Sequence, residues 1–450
     1  MTLPSNSLLS RPTSLFARYL GLSPTSRSQP CYALAAWAVV LISILGLLFF
    51  HPPYGCDLKV YGLTIHQLQV NISPYQLGIA HLEAGHSNGH FVFSMNYLYP
   101  PMTLPLLRAL GHLPREFCAA GYIALSAVSF LALLWIGLRC QERQESRLLP
   151  LIAPFAVFFP GLLSDDVWLH GNIVFLLYAL LFSAAYWGWK RGQWRYFYAA
   201  ILIATYFKAP MLIFLAIPLL SASGQLLPVL LTGSASSAMY FSQRFLWPAE
   251  YQSYLRMMNL EFLYNGEFGF SPAGLLGKFL CDHNHPYVVI CAAFYLCSAA
   301  AIFLILYRLS LEYKSGRISF AQWIPLLLIG VMLLYPRIKQ YDVAVITLPM
   351  AILFWRALRE RASSRRQARF YAVGIFATCN VLVVISNSQA TYNAFWEVSE
   401  MVVMVGLFVV SARSLYAQCV ETSPSVLLPE LQRSALHAMN LDYASQIEEA

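Results

Sequence analysis

Three groups of polar residues interrupt an otherwise apolar chain, and the first of them begins with an isolated acid. Asp57 follows by seven residues an apolar run that ends at Phe50. A carboxylate at the edge of a membrane segment is costly to keep there and is a functional candidate. Asp57 could be a general base that removes a proton from an acceptor hydroxyl. It could equally be an interfacial acid paired with Lys59 or with another cation, and the residues alone leave both interpretations open.

The second group lies between two apolar runs and reads Ser164-Asp165-Asp166-Val167-Trp168-Leu169-His170-Gly171-Asn172. Its carboxylates, Asp165 and Asp166, precede His170 and Asn172. The group could therefore cap the following helix, hold a metal ion or bind sugar hydroxyls. The side chains of adjacent residues diverge in an extended segment, which argues against shared metal coordination. We therefore favour a helix cap and predict no metal site.

The third group consists of cations that stand apart from the other basic residues of the chain. Lys208 is followed by Ala-Pro, and Arg337 and Lys339 precede Tyr341 in a short polar segment. The topology described below places them on the outer face of a membrane, where basic residues are uncommon. A cation in that position requires an anion, such as a lipid phosphate. The alternative is pairing with Asp342 or with the two aspartates of the second group.

The composition indicates a membrane protein. Of the 450 residues, 58% are hydrophobic and 11% are charged, whereas soluble domains average about 45–50% apolar and about 25% charged residues. The net charge of +8 comes from basic residues in short loops. It indicates membrane orientation and does not indicate nucleic-acid binding. Charged residues are nearly absent from the apolar runs, which disfavours ion-coupled transport.

The apolar runs predict an all-α integral membrane protein, a polytopic helical bundle of about 12 spans. We expect the run 102–113 to be re-entrant or interfacial. With that choice the dense clusters of Lys and Arg share one face, which is the cytoplasmic face under the positive-inside rule. The predicted spans are 32–50, 117–138, 148–163, 172–189, 196–207, 208–222, 226–241, 286–307, 318–335, 341–356, 370–387 and 398–416.

This topology predicts a single transmembrane domain over residues 1–417 and a cytoplasmic C-terminal tail over 418–450. Both termini are then cytoplasmic. Two long segments, 51–101 and 242–285, lie on the outer face, and we expect short interfacial helices within them.

The polar groups also resemble a known family. In the glycosyltransferase C superfamily, and more narrowly in glycosyltransferase family 87, an Asp-x-x-x-Tyr element follows the first helix. A Pro-Tyr pair and a Tyr-Pro-Pro sequence come after it. The matching segments here are Asp57-Leu58-Lys59-Val60-Tyr61, Pro74-Tyr75 and Tyr99-Pro100-Pro101. Other segments are similar in part: His170-Gly171-Asn172 to a Gly-Gln-x-Asn region, Lys208-Ala209-Pro210 to a Lys-Pro element, and 336–341 to a polar outer loop.

The resemblance implies an inverting, multi-pass enzyme of the glycosyltransferase C architecture in a cell inner membrane, with its active site facing the periplasm or cell exterior. Such enzymes transfer a hexose or pentose, mannose-like here, from a polyprenyl-phosphate donor to an envelope glycan or lipid acceptor. By position Asp57 is the catalytic base, and Lys208, Arg337 and Lys339 hold the donor phosphate. The substrate-binding candidates are Tyr61, Tyr75, Tyr99, Asp165, Asp166, His170, Asn172 and Tyr341.

The same resemblance implies no cofactor beyond the lipid-linked donor, and no partners beyond donor, acceptor and membrane lipids. The alternative function is a polytopic transporter or flippase of lipid-linked sugars, in which Asp57 and the outer cations line a substrate path. A transporter should carry polar residues through several spans. In this sequence the polar residues lie mainly on one face of the membrane instead, so we favour the enzyme.

Overall fold

Every regular element within the described residues of the computed structural model is a helix. The described residues are 56–87, 96–139, 172–265, 269, 271–281, 287–364, 367, 371 and 389–421. Two 3-10 helices, Pro101–Thr103 and Ala209–Leu215, precede α3 and α7 in the following order. The α-helices are α1 Cys56–Gln69, α2 Pro74–Ser87, α3 Leu104–Leu110, α4 Arg115–Arg139, α5 Val174–Arg191, α6 Arg195–Phe207, α7 Ala216–Ser221, α8 Leu226–Leu246, α9 Pro248–Asn265, α10 Pro272–Cys281, α11 Tyr287–Lys314, α12 Phe320–Leu333, α13 Gln340–Ala344, α14 Thr347–Arg361 and α15 Gln389–Glu421.

Three of these helices are long and apolar enough to cross a membrane. The crossing segments are Glu116–Gly137 in α4, Val289–Lys314 in α11 and Met401–Val420 in α15. The prediction of an all-helical membrane protein is therefore confirmed at this level. Other predicted spans form shorter helices, such as α6 with 13 residues and α12 with 14. The predicted spans 32–50, 148–163 and, apart from Tyr371, 370–387 lie outside the described residues.

Contacts between helix termini divide the bundle into two ends. At one end the hydroxyl of Tyr122 in α4 donates to the carbonyl of Asn172, just before α5. At the other end Trp135 of α4 packs edge-on against Tyr186 of α5, with ring centroids 4.9 Å apart. Helices α4 and α5 are therefore parallel. We call the end that holds Asn172 and the C-terminus of α6 at Phe207 the site end.

The opposite end is rich in basic residues and is called the basic end. Arg139, Lys190, Arg191 and Arg195 lie there, at the termini of α4, α5 and α6. Contacts from this end reach the termini of α7, α11, α12 and α15. These contacts join Trp189 to Phe320, Lys314 to the carbonyl of Leu219, and Gln322 to Gln418.

Apolar side chains of α5, α6, α7, α11, α12, α14 and α15 form the main core. Helix α12 shows how a proline is accommodated within this core. Ser319 and Gln322 cap its start reciprocally, and Pro325 inside the helix leaves the carbonyl of Ala321 without its backbone donor. The guanidinium of Arg356 in α14 donates to that carbonyl at 3.1 Å. The break in the helical ladder is therefore satisfied from the neighbouring helix.

A second, tyrosine-rich core lies at the site end and is called the site-end core. Helices α1, α2 and α9 build it from segments predicted as outer loops, together with α3 from the run 102–113, which was predicted as re-entrant or interfacial. Helix α2 packs along α9. The predicted short helices are present there, and they bury apolar side chains against one another. The buried members are Val60, Leu68, Tyr75, Ile79, Leu82, Tyr97, Leu104, Leu107, Tyr251, Tyr254, Met257 and Leu260.

Several boundaries differ from the predicted ones. The run 341–356 is divided into α13 and α14, because Pro349 cannot donate to the carbonyl four residues earlier and instead fits a first helical turn. Helix α15 continues to Glu421, past the predicted domain boundary at 417. Within the run 102–113, helix α3 has seven residues and rises about 10 Å, which is too short to cross a bilayer.

Candidate functional site

Asp57 and Tyr61 lie one turn apart on α1. The half-buried Asp57 is in the first turn of that helix, where the helix dipole favours a carboxylate. Residues four positions apart share a helix face, so the acid and the phenol project to the same side. Burial raises the pKa of Tyr61 well above its ordinary value, and the Asp57 carboxylate raises it further. The phenol is therefore neutral at physiological pH and lies within electrostatic range of the acid.

A directed chain of hydrogen bonds joins Tyr61 to the start of α5. Tyr99 donates to the side-chain oxygen of Asn172 at 3.2 Å, so the 2.8 Å bond between the two phenols has Tyr61 as donor. The backbone N–H of Ile173 donates to the Tyr61 hydroxyl, and that of Val174 to the Asn172 oxygen. The N-cap of α5 is Ile173, which makes no side-chain cap bond, so the helix cap favoured for the second polar group is not formed in the usual way. Asn172, one residue earlier, instead accepts from the N–H of Val174 at the entry to the helix. It also ties α5 to the tyrosines beside Asp57.

Tyr75 holds Tyr99, one member of this series of hydrogen bonds, in place. Its side chain is fully buried in the site-end core, and its hydroxyl donates to the backbone carbonyl of Tyr99 at 2.7 Å. Burial also raises the pKa of Tyr99 well above its ordinary value, with Tyr61 and Asp57 raising it further. Tyr75 thus positions Tyr99, and it does not itself face the acid.

Lys208 lies where the chain breaks between α6 and the following 3-10 helix. Its backbone is extended, with φ −146 and ψ 94, and Pro210 begins the new helix. The ammonium donates to the hydroxyl of Tyr341 at 3.4 Å and lies 4.8 Å from that ring and 5.9 Å from the ring of Tyr335. The half-buried cation is thus enclosed by two tyrosines.

The pKa of Lys208 shows which charges surround it. Burial lowers this pKa, Asp342 opposes that effect, Arg337 and Lys339 lower the pKa further, and Asp57 raises it. All four groups therefore lie within electrostatic range of one ammonium. Among the described residues, the group with Lys208 itself contains three cations and two carboxylates, an excess of one positive charge. That excess suits an anionic ligand.

Asp342 is the buried centre of this charged group. Its side chain is fully buried, and its carboxylate accepts the hydroxyl of Tyr178 at 2.6 Å and the backbone N–H of Lys339 at 2.8 Å. The first bond ties α13 to α5, and the second holds the residue just before α13. Asp342 therefore fixes the segment that carries Lys339 and Tyr341.

The loop of Arg337 is held from the other side by residues 269 and 271. Ser271 donates to the carbonyl of Pro336 at 2.6 Å and accepts the backbone N–H of Gly274. Gly269 has φ +68, and a Cβ at that position would lie 2.3 Å from the carbonyl oxygen of Ile338. Glycine is required there both for its backbone angle and for the close approach.

The structure brings most of the predicted site residues together. Asp57, Tyr61, Tyr99 and Asn172 form one side, and Lys208, Arg337, Lys339 and Tyr341 form the other. Tyr341 lies within electrostatic range of Tyr99, and Lys208 within range of Asp57, so the two sides are adjacent. Asp165, Asp166 and His170 lie outside the described residues.

Sequence reasoning missed three residues of this site. The sequence indicates Asp342 only as a pairing partner for the cations, although an acid inside a predicted span is itself a functional signal. Tyr178 and Tyr335 lie within or at the edge of apolar runs and gave no signal that distinguishes them from core residues. The structure places both beside Asp342.

Within the part of the chain that the structure describes, three or more His, Cys, Asp or Glu side chains do not gather in a way that could hold a metal ion. No protein-family model, curated protein or solved structure matches the chain. A function for this protein must therefore be argued from the chemistry of the site itself.

Proposed function

We propose that this protein is a membrane glycosyltransferase. It transfers a hexose or pentose, mannose-like by the family resemblance, from a polyprenyl-phosphate donor to a hydroxyl of an envelope glycan or lipid acceptor. The transfer inverts the anomeric centre. The observation that carries the proposal is the presence of one carboxylate, Asp57, within electrostatic range of the half-buried Lys208 and its companion cations.

The charges of the site match those of the reaction. A lipid phosphate that carries a sugar is a diester with one negative charge, which balances the excess of one positive charge. After transfer the lipid phosphate is a monoester with a charge close to about −2 at neutral pH. Asp57 has then gained a proton, so the positive excess of the site rises by one as well. The site thus complements both the donor and the leaving group.

The steps follow from this arrangement. Asp57 accepts the proton of the acceptor hydroxyl as the acceptor oxygen attacks the anomeric carbon. The bond between that carbon and the phosphate oxygen breaks, and its electron pair stays with the lipid phosphate. Lys208, Arg337 and Lys339 stabilise the charge that develops there. Tyr61, Tyr99 and Tyr341 supply neutral hydroxyl oxygens that can accept hydrogen bonds from the sugar hydroxyls.

The two ends of the bundle support an orientation in the inner membrane. Basic residues in short connections mark the cytoplasmic side, so the basic end faces the cytoplasm. The site end then faces the periplasm or cell exterior, where lipid-linked donors present their sugars. Parallel α4 and α5 require a return crossing between them, and the sequence predicts one over 148–163, a segment that lies outside the described residues. About 12 spans in a glycosyltransferase C architecture therefore remain part of the proposal.

The test is a transfer assay in lipid nanodiscs. Purified protein receives polyprenyl phosphate that carries a labelled hexose, mannose first and other hexoses and pentoses next, with a lipid-linked glycan as acceptor. We expect a new glycosidic bond of inverted configuration. Asp57→Asn should lower its rate by about 10²- to 10⁴-fold while donor binding persists.

The matched control is Glu83→Gln, which makes the same chemical change at an exposed ion pair with Arg256 on the site end. It should transfer at the wild-type rate. Movement of labelled lipid across a vesicle membrane without bond formation would identify the transporter alternative instead. Full transfer by Asp57→Asn would remove Asp57 as the base.

A further inference from the structure

Tyr335 presents a buried hydroxyl that the protein itself does not satisfy. Its side chain is 1% exposed, and among the described residues its hydroxyl has no hydrogen-bond partner. Other buried tyrosines nearby differ: the hydroxyls of Tyr75, Tyr97 and Tyr178 all form hydrogen bonds. Buried polar groups are rarely left unpaired, and an exception calls for a partner.

The position of Tyr335 points to a ligand as that partner. The ammonium of Lys208 lies 5.9 Å from its ring centroid, and Arg337 and Asp342 are within electrostatic range. Its ring packs against Phe214, with centroids 6.2 Å apart, and its backbone N–H donates to the carbonyl of Met332. The ring is therefore held in place from its apolar side, in the middle of the charged group.

The groups around Tyr335 indicate that its partner is a hydrogen-bond acceptor supplied by a ligand. Asp342 accepts from Tyr178 and from the backbone of Lys339, and among the described residues the Tyr335 hydroxyl makes no hydrogen bond to its carboxylate. Lys208 and Arg337 are both donors, so neither can accept a hydrogen from the Tyr335 hydroxyl. An anion held by these cations brings acceptor oxygens to the same place, and each phosphate oxygen accepts a hydroxyl readily.

We propose that the Tyr335 hydroxyl donates a hydrogen bond to the lipid phosphate, as a neutral donor beside Lys208 and Arg337. This inference rests on the proposed function, because that function supplies the phosphate. Tyr335 is thereby a phosphate-binding residue that no sequence motif indicated. A neutral donor adds directional recognition of the phosphate without adding charge to the site.

The experiment compares Tyr335→Phe with the wild-type protein in nanodiscs. Phe keeps the ring and its packing and removes the hydroxyl alone. We expect binding of undecaprenyl phosphate to weaken by roughly 10- to 100-fold, the effect of one hydrogen bond to a charged group. Binding of undecaprenol should not change. The melting temperature should not fall, because the lost hydroxyl has no protein partner.

The matched control is Tyr295→Phe, because the hydroxyl of Tyr295 donates to the carbonyl of Leu334 at 2.9 Å. This variant should lower the melting temperature and leave undecaprenyl phosphate binding unchanged. Inorganic phosphate as competitor distinguishes the source of the anion: strong competition indicates a free-phosphate site, and weak competition indicates a lipid phosphate.

The possible outcomes separate this inference from the proposed function. If wild-type protein binds undecaprenyl phosphate no better than undecaprenol, both fail. If Lys208→Gln weakens binding but Tyr335→Phe does not, the function stands and the role of Tyr335 is overturned. A lower melting temperature for Tyr335→Phe would also overturn it, since the hydroxyl would then have a structural partner.

Discussion

The basic residues of the two ends have the same chemical types but opposite surroundings. At the basic end they are exposed and lie over aromatic rings: Arg191 is 3.8 Å from the ring centroid of Trp187, and Arg195 is 4.9 Å from that of Tyr196. At the site end Lys208 is half-buried between two tyrosines. Around it are further cations and two carboxylates.

We infer that this difference separates cations that orient the protein from cations that bind a ligand. An exposed cation beside an aromatic ring at a membrane interface keeps its contact with water and needs no anion. A buried cation loses hydration, and only nearby negative charge restores its stability. The site end supplies part of that charge through Asp57 and Asp342, and under the proposed function the substrate phosphate supplies the rest.

The largest effect is expected from removing the buried acid of the site end. Asp342→Ala leaves the Tyr178 hydroxyl without its acceptor and the nearby cations uncompensated. We expect a loss of about 3–5 kcal/mol in the free energy of unfolding, measured by chemical denaturation in detergent. Glu83→Ala removes an exposed acid at a pair with side-chain exposures of 63% for Arg256 and 45% for Glu83, where about 0–1 kcal/mol is expected. Equal losses in the two variants would contradict the distinction.

The next largest effect is expected at Gly269, whose close approach to the Ile338 carbonyl holds the loop that carries Arg337. Gly269→Ala forces a Cβ to within 2.3 Å of the Ile338 carbonyl oxygen. Gly316, near the basic end, also has a positive φ of +81, but a Cβ added there would meet open space. Gly316→Ala is therefore the matched control. Both variants bear the strain of left-handed backbone, about 1–2 kcal/mol, but only the first displaces a site loop.

Undecaprenyl phosphate binding separates these two glycine variants. It should weaken in Gly269→Ala and remain unchanged in Gly316→Ala. Unfolding measurements on both variants show the shared cost of the backbone angle. Normal binding by Gly269→Ala would mean that the position of the Arg337 loop does not matter to the site.

A smaller effect concerns the pH dependence of transfer. Lys208 is charged below its pKa, and burial places that pKa below the ordinary value of 10.5. Transfer should therefore fall on the alkaline side at a lower pH than an ordinary lysine would cause. Bound phosphate favours the charged form, so the fall in kcat should occur at higher pH than the fall in kcat/KM.

Lys208→Arg sharpens this test, because arginine stays charged to a pH above about 12. The alkaline fall of kcat/KM should move upward or disappear in that variant. A pH profile identical to that of wild-type protein would show that Lys208 does not control the alkaline limb.

Parts of this site were predictable because they depend on local sequence. Composition predicts a helical membrane protein, and the four-residue spacing of Asp57 and Tyr61 places them on one helix face once α1 forms. A polar residue at the entry to α5 follows from the position of Asn172 before an apolar run, although the N-cap itself is Ile173. Cations outside the dense basic clusters indicated an anion site.

Other parts were not predictable because they depend on contacts between distant segments. The site-end core joins α2 with α9, and no local pattern pairs these helices. The hydrogen bond from Tyr178 to Asp342 spans 164 residues, and either residue alone has the sequence context of a core position. The unsatisfied hydroxyl of Tyr335 is a property of packing, so only a structure reveals it.

The smallest effect is expected at the basic end. Arg191→Gln removes an exposed cation from the face of Trp187, a contact worth about 0.5–1 kcal/mol. Stability in detergent should fall by no more than that, and transfer in nanodiscs should be unchanged. Lys208→Gln makes a comparable change at the site end and should abolish most transfer. If Arg191→Gln impaired transfer as strongly as Lys208→Gln, cations at the two ends would share one role, and exposure would no longer distinguish orientation from binding.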